Sequence, residues 1–191
     1  IGLGKELNYD FFEEFIDEVL KSGIKIIYVH ARNAILNGIS PSQNRSVPPL
    51  DYNFVKKIKL KYPDVLFILN GGIDSLDKAK NLLNDYEGVM LGRLIQNNPF
   101  ILKKIDNIFY NSTNTIKVNE ELIFNYFNYI KPKIEKDSIF RLLSPLLQIF
   151  FGIPNSKLFK SKIHQFMKNR ELNLIEDLLL KFIRENSLQL N

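Results

Sequence analysis

An α/β domain followed by an all-α unit is the fold this sequence predicts. Short β-branched runs alternate with helical patterns through residue 109, glycine turns follow two of those runs, and beyond about residue 110 only helical periodicity remains. Residues 10–20, Asp-Phe-Phe-Glu-Glu-Phe-Ile-Asp-Glu-Val-Leu, set apolar side chains at helical spacing with acids between them, and Gly23 follows as a C-terminal stop. Residues 24–30, Ile-Lys-Ile-Ile-Tyr-Val-His, read as a strand largely buried on both faces. Residues 65–69 and 88–91 are two further strands, with helices at 52–62 and 76–84 and a short helix around 99–105. That order is the pattern of a parallel sheet with crossover helices. Only three strands are found, which leaves an open edge and an uncovered face, so the sheet reads as part of a larger α/β domain.

The helical unit is expected to hold helices at 120–131, 138–151, 156–168 and 172–185, separated by Pro132, by Gly152 with Pro154, and by Asn169. The polar stretch Asn111-Ser112-Thr113-Asn114-Thr115 is a linker, and the domain boundary is placed between residues 109 and 110.

The 191 residues include no cysteine, which excludes a disulfide, a thiolate metal site and a cysteine nucleophile within them. The longest apolar stretch, 142–153, is broken by Ser144, Pro145 and Gln148. It falls short of the roughly 18 residues a membrane span needs, and no transmembrane helix is expected. The N-terminus, Ile1-Gly2-Leu3-Gly4-Lys5-Glu6, has neither an initiator Met nor a secretory pattern and reads as a start inside a longer reading frame. The net charge of +5 is uneven: residues 1–109 carry 14 basic and 13 acidic side chains, residues 110–191 carry 12 and 8. From 138 to 170 there are six basic residues (Arg141, Lys157, Lys160, Lys162, Lys168, Arg170) and no acid. A nucleic-acid surface and a solvated basic face both fit that stretch.

The residues best able to carry chemistry stand at strand ends. Asn70-Gly71-Gly72-Ile73 closes one strand and leads through Asp74 and Ser75 into a helix, and Gly92-Arg93 closes the next. Glycine lets the backbone approach a ligand closely and Arg93 adds a bidentate charged donor, so together they make a phosphate clamp. Consecutive βα loops at the end of a (β/α)8 barrel are where that fold binds phosphate. The plainer alternative is two tight turns and an Arg93 paired to a carboxylate. His30 and Arg32 fall at the carboxyl end of the first strand, the side on which α/β ligands sit, although a lone histidine is also a common structural residue. His164 lies on a basic helix and reads as surface or RNA-facing. Residues 33–50 form a long connection with Gly38, Pro41, Pro48 and Pro49, a second cation in Arg45, and no acid. Such a connection is either a substrate-binding loop or a surface excursion.

These segments resemble the tRNA-dihydrouridine synthase family, in its A-type branch. The matching stretches are Val29-His30-Ala31-Arg32-Asn33-Ala34, the run from Gly38-Ile39-Ser40-Pro41 to Pro48-Pro49-Leu50, Leu69-Asn70-Gly71-Gly72-Ile73, Asp85-Tyr86-Glu87-Gly88-Val89-Met90-Leu91-Gly92-Arg93, and Asn98-Pro99-Phe100. The helical half matches more weakly: Phe150 to Lys160 looks like a diverged Phe-x-Gly-x-Pro-Gly-Ala-Arg-x-Trp-Arg segment, with Lys157, Phe159 and Lys160 where Arg, Trp and Arg are typical. Ser144 and Pro145 stand in what looks like the place of a usual Arg-His pair.

The resemblance implies the C-terminal part of a (β/α)8 TIM barrel that binds FMN in residues 1–109, then a helical-bundle tRNA-binding domain in 110–191. It implies a cytoplasmic flavoprotein that reduces a D-loop uridine of tRNA to 5,6-dihydrouridine, with NADPH as electron source, hydride passing from flavin N5 to uracil C6 and a cysteine giving the proton to C5. Carried onto this chain, His30 contacts the flavin ring region, Asn70, Gly71 and Gly72 hold the ribityl-phosphate side, and Gly92 and Arg93 close on the phosphate. Arg32, Asn44 and Arg45, with Lys157 and Lys160 in the helical half, face the RNA. The cysteine and a flavin-contacting lysine belong to the family's N-terminal half, so no catalytic residue is expected in this chain and these residues alone are expected not to complete turnover. The resemblance implies tRNA as partner, no membrane, no metal, and a monomer at full length. Two other readings compete. A different FMN barrel, such as a dihydroorotate or dihydropyrimidine dehydrogenase relative, has no need of the basic helical tail or the Ser40-Pro41 to Pro48-Pro49 loop. A non-catalytic RNA-binding remnant has no need of the two glycine turns.

Overall fold

The computed structural model describes residues 1–113, 117–154 and 156–190. The chain falls into two compact units, Ile1–Leu94 and Ile95–Asn191. Along the first run β1 (Gly2–Leu3), α1 (Tyr9–Leu20), β2 (Ile26–His30), β3 (Asn33–Ala34), α2 (Pro41–Asn44), α3 (Tyr52–Lys61), β4 (Leu66–Asn70), α4 (Leu76–Leu82), β5 (Gly88–Met90) and α5 (Arg93–Asn97). All strand pairs are parallel: β1 with β3, and a three-stranded sheet in the order β2-β4-β5.

Local chemistry sets where the helices of this unit begin. The Asn8 side chain accepts from Phe11 N at 3.0 Å to start α1, Asp51 accepts from Phe54 N at 2.9 Å to start α3, and Ser75 accepts from Lys78 N at 3.2 Å to start α4. Phe12 and Ile16 lie four apart on the buried side of α1, Val55 and Ile58 three apart on that of α3. They share one core with Val29, Phe67 and Leu69 of the sheet. Each fully buried side chain of this size contributes about 1.5–3 kcal/mol.

The covered sheet face is the one bearing Val29, Phe67 and Leu69. The opposite face, on which the register aligns Ile26 with Leu66 and His30 with Asn70 and Met90, leaves Ile26, Tyr28, Leu66 and Met90 exposed. This corrects the expectation of a first strand buried on both faces: α1 and α3 pack on one side only, and the uncovered face that three strands imply is present. Within the connection 33–50, read from sequence without regular structure, β3 and α2 are short elements, the latter opened by a capping box between Ser40 and Gln43.

The second unit carries a 3-10 turn at Pro99–Ile101, α6 (Leu102–Tyr110), α7 (Glu120–Ile130), α8 (Ile139–Leu143), a 3-10 segment at Leu146–Phe150, α9 (Ser156–Asn169), α10 (Leu172–Glu185) and α11 (Ser187–Leu190). Arg184 holds Glu120 through two bonds of 2.8 and 2.7 Å, and Lys131 pairs with Glu176 at 2.9 Å. Each pair joins one end of α7 to the opposite end of α10, so the two helices run antiparallel. Their core holds Ile123, Phe127, Leu143, Ile163, Met167, Leu179 and Phe182, with Phe150 and Phe182 in edge contact at 4.4 Å.

A single helix over 138–151 was expected and is not formed. Pro145 has no N–H to give the Arg141 carbonyl, Ser144 Oγ donates to that carbonyl at 3.1 Å instead, and the chain continues as 3-10 turns. The linker expected at 111–115 begins with Asn111 in the left-handed conformation at φ 52°, ending α6. Its Asn114 and Thr115 lie outside the described residues, as does Asn155 of the weakly matching segment. No helix among the described residues is long and apolar enough to cross a membrane.

Candidate functional site

Parallel pairing brings the carboxyl ends of three strands side by side. His30 of β2 is in register with Asn70 of β4, and Asn70 with Met90 of β5, so the segments 30–32, 70–72 and 91–93 leave the sheet together. Gly71 and Gly72 have φ of +119° and +62°. A Cβ on Gly71 would stand 2.9 Å from Leu50 Cδ2 and 3.3 Å from His30 Cε1, and one on Gly72 2.3 Å from Leu50 Cδ1. The positive φ angles demand glycine at this turn, a Cβ there would have to displace the end of the Leu50 side chain, and the imidazole of His30 lies against it.

Gly92 differs. Its φ is not positive and nothing stands within 4 Å of where a Cβ would be. Among the described residues none beyond its chain neighbours requires glycine there, and the open approach to its backbone fits a ligand that comes close. Arg93 follows directly, exposed, with its guanidinium donating to the Arg45 carbonyl at 2.9 Å.

The electrostatics at these strand ends are one-sided. His30 is half-buried and its pKa lies below the ordinary 6.5, because burial disfavours the charged ring and because Arg32, the Ile1 amine and Arg93 all repel a proton. It is therefore neutral at pH 7, one ring nitrogen donating and the other accepting. Arg32 is also held below its ordinary range, by burial and then by Arg93. Its guanidinium donates to the Pro48 carbonyl and, at 3.2 Å, to that of Ser46, while its buried Nε finds no acceptor. A buried N–H without an acceptor is costly, and cations crowded together are costly, unless an anion compensates both. The residues present fit a phosphate group.

The other predicted residues have their own surroundings. Asn44 accepts from Ile35 N at 2.8 Å and donates to Ile35 O at 2.7 Å, so both ends of its amide staple the 33–50 connection that presents Arg45. In the helical unit Lys157 is exposed, while Lys160 is half-buried with its Nζ 5.9 Å from the Phe150 ring centre. Among the described residues no group of His, Cys, Asp or Glu is placed to hold a metal ion.

Two supporting residues were not foreseen. Tyr52 Oη donates to Gly71 O at 2.6 Å, and Lys78 Nζ donates to Gly72 O at 2.7 Å, fixing both carbonyls of the glycine turn. Each partner is a backbone atom, so neither role leaves a motif. Only the places of Tyr52 beside the Asp51 cap and of Lys78 one turn into α4 could have pointed to them.

The sequence matches the dihydrouridine synthase (Dus) family over residues 1–186. It is 34% identical over 161 residues to a tRNA-dihydrouridine(20/20a) synthase of Shewanella oneidensis, covering 84% of this chain and 48% of that protein. To the protein of the same name from Vibrio parahaemolyticus it is 29% identical over 189 residues, covering 97% of this chain and 58% of the relative. The one from Pseudomonas putida shares 36% over 135 residues, covering 71% and 40%. The chain thus spans about half the length of the curated relatives it matches.

Proposed function

The chain belongs to the dihydrouridine synthase family, and on that premise we propose that it supplies the phosphate-holding and RNA-facing parts of an FMN-dependent tRNA-dihydrouridine synthase of the A-type branch. The observation that carries this reading is the group of His30 and Arg32 at the carboxyl end of β2 and Arg93 just after β5, beside a Gly92 whose Cβ position no described residue other than its chain neighbours approaches within 4 Å. In this reading residues 1–109 are part of a TIM barrel and residues 110–191 a tRNA-binding domain.

Bound there, FMN would supply the two-electron reduction of a D-loop uracil, with NADPH as the reductant. The chain's own residues bind and orient. Arg93 offers a charged donor to a phosphate, and the amides of the Gly71-Gly72 turn, held by Tyr52 and Lys78, add neutral donors beside it. Neutral His30 meets a ring without adding charge. Arg32 and Arg45 line the RNA approach on a loop that Asn44 holds shut, and Lys157 and Lys160 contact the tRNA backbone from the helical unit. Proton delivery to C5 falls to a cysteine outside these residues, since the sequence has none, and this chain alone forms no dihydrouridine.

Titration of the chain with FMN, followed by flavin fluorescence, tests the reading. Saturable binding is expected, weakened in Arg93→Ala by about 10- to 150-fold, the worth of a charged hydrogen bond. Binding that the variant leaves unchanged would remove Arg93 from the site. No binding to a folded chain would overturn the claim that these residues hold the phosphate.

A further inference from the structure

The helical unit carries a depression of about 490 Å³ lined by Lys136, Phe140, Met167, Lys168 and Arg170 together with Glu135 and Asp137. Its volume is in the range of small-ligand sites. Phe140 is 44% exposed although its neighbours on α8, Ile139 and Leu143, are buried. An aromatic ring presented among cations is the arrangement by which proteins take an unstacked base and its phosphate.

The acids at the rim do not cancel the cations. Asp137 is committed to the Arg141 guanidinium and accepts from Ser138 N at 2.8 Å, which holds its carboxyl below the usual range. Among the residues that line the depression, that leaves Lys136, Lys168 and Arg170 against Glu135. From 138 to 170 the sequence has no acid.

Arg170 stands at the end of α9 in the left-handed conformation, φ 59°. Its N–H reaches Met167 O at 3.2 Å and the next N–H, of Glu171, reaches Phe166 O at 3.0 Å, a helix end that ordinarily takes glycine. Arginine in this conformation is more strained than glycine, and its guanidinium is exposed at the depression, donating to Ile134 O at 3.2 Å.

We propose that this depression is a nucleotide site distinct from the strand-end site, in which an unstacked base of the RNA lies on Phe140 and its phosphate meets Lys168 and Arg170. The proposal rests on the reading that the chain binds tRNA. The base face selects for stacking without regard to sequence, and the two cations fix the register of the backbone.

Fluorescence anisotropy of the full chain with a transcribed tRNA, and with a labelled uridine-rich single strand, separates the possibilities. Phe140→Ala is expected to weaken both complexes by about 5- to 150-fold, and Phe140→Trp to restore them. Arg170→Gly is expected to raise the melting temperature by about 2–4 °C while weakening binding and lowering the salt slope by about one. If the unsubstituted chain binds tRNA and neither Phe140→Ala nor Arg170→Gly changes that binding, the site is wrong and the tRNA reading stands. A folded chain that binds neither RNA overturns both.

Discussion

At the end of β2, His30 is half-buried beside Arg32, Arg93 and the Ile1 amine, and its protonation gives a measurable consequence. Its folded pKa lies below 6.5, so between that lower value and 6.5 the unfolded chain binds more protons than the folded one. His30's contribution is whole above pH 6.5 and declines as pH falls from there to the folded value. His30→Asn should flatten that part of a urea-stability profile, and a ring-proton NMR titration should place His30 below 6.5, rising when inorganic phosphate is added. A free-protein value at or above 6.5 would refute the acid-free environment. Glu87 acts in a separate window. Burial raises its pKa, but hydrogen bonds from Lys59 and from Phe67 N outweigh that and hold it below 4.5, so its contribution is lost only as pH falls through that lower value. Gly71, Gly72 and Gly92 were legible in the sequence because glycine after a strand has few other uses. Tyr52, Lys78 and the stapling role of Asn44 were not, because their partners are backbone atoms brought near only by the fold.

Strands and long helices were legible because their periodicity reports burial, but periodicity cannot say whether a second layer exists. Residues 24–30 illustrate this: the run Ile-Ile-Tyr-Val is apolar throughout, yet Tyr28 is 65% exposed and Phe67 on the covered face is fully buried. The expected helix over 138–151 failed for a local reason, Pro145. The elements at 33–34 and 41–44 were missed because both are too short to leave a period: β3 is held from outside itself, as by Gly4 N donating to Ala34 O at 2.9 Å, and α2 by the local capping box of Ser40 and Gln43. The asymmetry of the sheet can be measured by urea unfolding. Tyr28→Thr keeps a strand-forming residue at an exposed place and should change stability by no more than about 0.5 kcal/mol. Phe67→Ala opens a cavity in the core and should cost about 3–5 kcal/mol. Comparable losses from the two would mean that the Tyr28 face is covered in solution.

Across the whole molecule, the switch from alternating strands to helices was legible and set the expected boundary at 109/110, whereas the compact units divide at 94/95. Phe100 packs against the helical core and Lys103 Nζ donates to Leu190 O at 2.7 Å, which places 99–110 with the second compact unit. The uneven charge has a consequence of the same scale. Lys157, Lys162, Lys168 and Arg170 are exposed in a stretch without acids, whereas Lys56 in the first unit is paired with Asp85 at 2.6 Å. If those four cations neutralise three phosphates, Lys168 and Arg170 sharing one, the plot of log affinity for tRNA against log salt concentration should have a slope of about −2 to −3. Lys162→Ala should shift that slope toward zero by about one, and Lys56→Ala should leave it unchanged. A slope near zero would show that these cations meet no phosphate, and equal effects from the two substitutions would show that net charge alone attracts RNA and that the acid-free stretch has no special part in it.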